Sequence, residues 1–131
     1  MAVTDGKGAD GDGSMTEGPT LQQATLPSVP VCWSALEGGE LQEHLADLTD
    51  WITWIVWRYA LDHRTVPPCW PEHGALIEEL SALQTAWCAA FAVTADAAQP
   101  LRWHAEFATA RGRLGDWIAR SGCRPGEHRS D

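Results

Sequence analysis

The 131-residue sequence is short of several things, and each shortage argues against a class of protein. Lysine is nearly missing: Lys7 stands alone, and the formal net charge is −9. A surface that holds nucleic acid along its whole extent needs surplus Lys and Arg to displace phosphate counterions, so this balance disfavours such a role. Long apolar runs are missing too. The run from Trp51 to Trp57 is broken by Thr53 and falls far short of the roughly 20 residues a membrane span needs. Met1 to Gly18 is polar, glycine-rich and acidic, unlike a secretory signal, so the expectation is a cytoplasmic chain with reduced thiols. There is no strand-like alternation, no Gly-rich phosphate loop between a strand and a helix, and no His-Glu-x-x-His pair. The adjacent acids Glu78 and Glu79 would point about 100° apart on a helix, which does not make an acid/base pair. No catalytic constellation emerges, and a non-enzymatic protein is expected.

What is present is unevenly distributed. Residues 1–31 read as a disordered acidic tail rich in Gly and Pro, because such a stretch buries too little apolar area to offset its ordering entropy. Its end, Leu26 to Trp33, is extended by prolines yet apolar enough to lie along a groove. Residues 32–131 read as one helical domain with a Cys/His C-terminal tail.

Three amphipathic segments fill that domain. From about Glu40 to Leu61, Leu41, Leu45, Leu48, Ile52, Ile55 and Tyr59 recur at spacings of four and three, with Trp51 on the flank. From about Pro71 to Val93, Leu76, Leu80, Leu83, Trp87 and Ala90 or Phe91 keep the same rhythm, with Pro71 suited to a first helical position. From about Pro100 to Ser121 the stripe is Trp103, Phe107, Ala110, Leu114 and Trp117, with Gly122 as a stop. The expected fold is all-α, an antiparallel three-helix bundle. Its core is small, so large Trp side chains or a metal staple would help it.

Up-down-up topology puts the first connection and the C-terminus at one end. That end gathers Cys69 and His73 from the connection and Cys123 and His128 from the tail. Two thiolates and two imidazoles suit tetrahedral zinc, and four protein ligands would close the coordination sphere, making the site structural. The competing expectations are ordinary thiols beside exposed histidines, or a Cys69–Cys123 disulfide, which the missing signal disfavours. His63 is a substitute ligand ranked below His73. Cys88 reads as a small buried apolar group. Cys32 has no partner at useful spacing, and His44 and His104 read as surface histidines.

The first helix carries more apolar surface than one face can bury. Trp54 and Trp57 fall roughly opposite the Leu/Ile stripe, and on the third helix Ala105, Ala108, Gly112, Gly115 and Ala119 form a run of small residues. Either Leu26–Trp33 folds back over the tryptophans, or Trp54, Trp57, Gly112 and Gly115 dock on a protein partner or a second copy. A further expectation concerns charge. Residues 101–131 carry six Arg against four acids, which complements the two acidic helices or, alternatively, lets Arg111, Arg113, Arg120 and Arg124 contact DNA.

The order of features also resembles a known family. Trp51-x-x-Trp54 with Tyr59, Cys69-Trp70-Pro71-Glu72-His73, Leu80-Ser81-Ala82-Leu83 leading to Trp87, then Trp103 and a closing Cys123 with His128 are similar to a family of small actinobacterial proteins. These have no assigned activity and are often encoded near plasmid, prophage or conjugative-element genes. The resemblance spans roughly residues 48–129. It departs from the family where Gly74 follows His73, since a His-Pro pair is common there. It implies an accessory protein of a mobile element and adds nothing about catalysis.

Overall fold

Four buried residues, Leu48, Trp51, Ile52 and Ile55, define the inner side of the first helix, α1 (Gly38–Arg58). Their spacing of three, one and three is one face of a 3.6-residue turn. In the third helix, α3 (Gln99–Ser121), the buried set Trp103, Phe107, Ala110 and Leu114 is again spaced three and four apart. The helix between them, α2 (Gly74–Ala90), behaves differently. Leu76, Leu80, Ser81, Leu83, Gln84, Trp87, Cys88 and Ala90 are all buried and cover most of its circumference. A helix buried nearly all round is a central one, so α1 and α3 pack on it from different sides. This computed structural model describes residues 29–123, and among them there is no strand. The expected disordered tail therefore lies outside the described residues except for Val29, Pro30 and Val31, and so do His128 and Arg124.

The helices α2 and α3 run in opposite senses along one another. Glu79 meets Arg113 through two hydrogen bonds of 2.9 Å, and the Trp103 indole N–H donates to the Leu83 carbonyl at 3.0 Å. Along this seam residue numbers rise on one helix as they fall on the other. The C-terminal half of α1 sits over the end of α2 and the start of α3. There Trp51 lies edge-on to Trp103 at 6.5 Å between centroids, and Trp54 packs on Trp87 at 5.2 Å.

The second helix starts later than its periodicity suggests. Pro71 sits in a short 3-10 turn, Trp70–Glu72, after which His73 is extended (φ −127°, ψ 114°) and α2 begins at Gly74. Extending His73 interrupts the helix there, and its side chain is buried at 3% exposure. The third helix matches its expected bounds closely: Pro100 lies in its first turn, and Gly122 closes it at φ 80°, with its N–H bonded to the Ala119 carbonyl. That left-handed conformation is one glycine adopts without strain.

Trp51 is a correction to the helical wheel. Expected on the flank, it is 1% exposed and among the largest fully buried side chains. The reason is geometric. Two partners, Trp87 of α2 and Trp103 of α3, meet α1 at this point, so its buried arc is wider than a single-face contact requires. Trp54 falls within the same widened arc and is partly buried on Trp87, whereas Trp57 stays 44% exposed. The described part of the approach segment has contacts on both α1 and α2. Pro30 and Val31 border a recess on α2 beside Ser81, Ala82 and Thr85, and Trp33 stands edge-on to His44.

Candidate metal centre

The connection between α1 and α2, residues 59–73, determines where the site forms. It does not turn back directly. Tyr59 donates or accepts at His104 Nε2 (2.9 Å), Arg111 donates to the Thr65 hydroxyl at 3.4 Å, and Cys69 reaches Cys123. The contacts thus step along α3 from its first turns to just past its end. Two kinds of interaction hold the connection in place. An Asp62 carboxylate oxygen accepts from the N–H groups of Arg64 and Thr65, fixing a local turn. Val66 and Trp70 are buried in the core, anchoring the middle and end of the segment.

Three side chains then converge at the end of the α2–α3 pair. Cys69 Sγ lies 3.7 Å from His73 Nε2 and 3.6 Å from Cys123 Sγ. Cys123 Sγ lies 3.3 Å from the same His73 nitrogen. His73 and Cys123 are buried and Cys69 is half-buried. Cys123 is placed by the Gly122 stop and by its own N–H, which donates to the Ser121 hydroxyl at 3.2 Å. Each group offers one ligand atom, and the three together could hold a metal ion. No disulfide joins Cys69 to Cys123. Burial, and then the neighbouring Cys123 thiol, push the Cys69 thiol above its ordinary range. Two adjacent thiolates in a buried setting need a cation between them.

Of the four ligands expected from sequence, the structure brings together Cys69, His73 and Cys123. The fourth, His128, lies outside the described residues. His63 is exposed on the surface of the connection beside Asp62 and Arg64, away from the cluster. Cys88 is buried within α2, where desolvation raises its thiol to about 11, consistent with an unreactive apolar role. Cys32 is exposed, with Ser34 as its neighbour.

The arginines expected on a nucleic-acid face are engaged within the chain. Arg113 is paired with Glu79, Arg111 bonds Thr65 and lies over the Phe107 ring, and Arg120 lies over the Trp117 ring at 5.0 Å. Arg124 lies outside the described residues. Of these contacts only Arg113–Glu79 complements charge between helices. Gly112 and Gly115 are exposed, and open space surrounds the position of a Cβ on each. Nothing among the described residues therefore makes a close approach to them.

Sequence reasoning missed the anchoring of the connection by Val66 and Trp70. An aromatic residue immediately before a proline in a long connection was the available signal, since such a large ring rarely stays in water. The Tyr59–His104 pair carried no signal, because its partners are 45 residues apart.

No family model, curated protein or solved structure matches the chain. The resemblance to small actinobacterial proteins is neither supported nor opposed by these comparisons, and the site stands on its own geometry.

Proposed function

We propose that Cys69, His73 and Cys123 hold a zinc ion as a structural staple in a cytoplasmic, non-enzymatic accessory protein that acts by binding another protein or a second copy of itself. The observation that carries the zinc assignment is the shape of the triangle. Around tetrahedral zinc, with Zn–S of about 2.3 Å and Zn–N of about 2.0 Å, two sulfurs stand about 3.8 Å apart and a sulfur and a nitrogen about 3.5 Å. The separations here are 3.6 Å for the two sulfurs and 3.7 and 3.3 Å for the sulfur–nitrogen pairs. They approximate three edges of that tetrahedron. The donor set also fits: two soft sulfurs and one imidazole select zinc over the oxygen-seeking cations.

In this proposal His128 supplies the fourth ligand, as the stretch after Cys123 is long enough to turn back onto the site. A closed sphere leaves no coordination position for a substrate, which is why the role assigned to the metal is structural. When bound, the ion joins the connection, the start of α2 and the end of α3. The interaction role rests on Trp57, a large apolar side chain left 44% exposed, and the mobile-element setting rests on the family resemblance alone.

The protein purified without added chelator should carry about one zinc per chain, as a structural site binds tightly at neutral pH. Chelation, or Cys123→Ser, should lower Tm by about 10 °C or more, given that each kcal/mol moves a domain of this size by about 4–8 °C. His128→Ala should weaken zinc affinity while leaving some binding by the other three ligands. Metal analysis showing no zinc, together with normal melting of Cys123→Ser, would sink the proposal.

A further inference from the structure

At the opposite end of the α2–α3 pair from the Cys/His cluster, the chain leaves an open cleft of about 390 Å³. Its walls are Trp54, Arg58 and Tyr59 from the end of α1, Trp87 and Phe91 from the end of α2, and His104 from the start of α3. Small-molecule sites begin at about 300 Å³ and combine apolar and aromatic walls with a few placed polar groups. The cleft has that composition. Trp54 and Trp87 are tilted at 60° with centroids 5.2 Å apart, and Phe91 stacks on Trp87 at 4.8 Å. On the other side, Tyr59 and His104 are tied to each other by a 2.9 Å hydrogen bond.

The charge of the cleft runs against that of the chain. The protein carries a net −9, yet among the described residues no Asp or Glu lines this cleft and Arg58 does. Among the described residues no carboxylate is ion-paired with Arg58, whereas Arg113 has Glu79. An exposed guanidinium at the mouth of an aromatic recess repels a cationic ligand and leaves a neutral one without a charge partner. A carboxylate answers it with two parallel hydrogen bonds. Aromatic walls in turn favour a flat ring, since ring–ring contacts contribute beyond the area they bury.

We infer that the cleft beside Trp54 and Arg58 binds a small aryl carboxylate, its ring against the partly exposed Trp54 and Phe91 and its carboxylate on Arg58. The site is separate from the Cys/His cluster, and its ligand would bridge the ends of α1 and α2.

Isothermal titration calorimetry on the full-length chain with phenylacetate, phenethylamine and phenethyl alcohol tests this directly. Phenylacetate should bind, and the amine should not. The alcohol should bind at least about tenfold more weakly than phenylacetate, the loss of one charge-assisted contact. Arg58→Gln, an exposed position whose change leaves the core intact, should weaken phenylacetate by a similar factor and leave the alcohol unchanged. Trp54→Leu, which keeps an apolar side chain but removes the ring, should weaken both. Absence of phenylacetate binding at millimolar concentration would overturn the inference. So would equal binding of all three probes, or phenylacetate affinity that survives Arg58→Gln.

Discussion

Cys88 shows how burial alone assigns a role to a reactive side chain. It lies inside α2 with its thiol raised from an ordinary value of 9.0 to about 11, first of all by desolvation. The folded chain therefore holds this proton over a range in which the unfolded chain releases it. Stability from this group is fully present below pH 9.0 and is lost as pH rises toward about 11. Thermal melting of the native chain should fall across that window more steeply than melting of Cys88→Ala, whatever the offset between them at neutral pH. Parallel pH profiles for the two proteins would show that the thiol is not desolvated. Sequence gave this role correctly, since Cys88 sits between core positions of a periodic stripe and has no partner at ligand spacing. Trp51 was harder to place. Its wheel position put it at the flank, and only the meeting of Trp87 and Trp103 at one point of α1 makes it central.

At the scale of elements, periodicity located all three helices because each has a buried stripe to advertise. It was least informative at the start of α2, where His73 leaves the helix with its ring among the thiols. A local pattern cannot report such a tertiary demand. The exposed side of α3 poses a different question, because Gly112 and Gly115 have open space around them. An exposed mid-helix glycine costs up to about 1 kcal/mol relative to alanine, so the double variant Gly112→Ala, Gly115→Ala should gain about 1–2 kcal/mol. Thermal or denaturant melting should show that gain. If the small residues serve a partner or a second copy, light scattering or pull-down should show association weakened in the same, more stable variant. A stabilised double variant with unchanged association would remove these glycines from the proposed interface and leave Trp57 as its remaining anchor.

For the molecule as a whole, the decisive feature is that residues 59–73 travel along α3 instead of turning back at the end of α1. Cys69 and Cys123 do meet at one end, but not through the expected up-down-up topology: the end of α1 lies at the start of α3, and only a path along α3 carries Cys69 to the far end. That path is supported at Tyr59–His104, at Thr65–Arg111, by the buried Val66 and Trp70, and at the Cys/His cluster. The α2–α3 pair has separate supports in the Trp103–Leu83 and Glu79–Arg113 bonds and the shared core. Removing a metal from the cluster should therefore loosen one part of the molecule more than the other. Three backbone bonds near the site report this: Trp70 N–H to Pro67, Glu72 N–H to Cys69 and His73 N–H to Trp70. In native-state hydrogen exchange, chelation should speed exchange at Trp70, Glu72, His73 and Cys123 while the central amides of α2 and α3 keep most of their protection. Uniform acceleration would mean that the connection and the helices open as a single unit. No acceleration near Cys69 would mean that Val66 and Trp70 hold the connection without help from a metal.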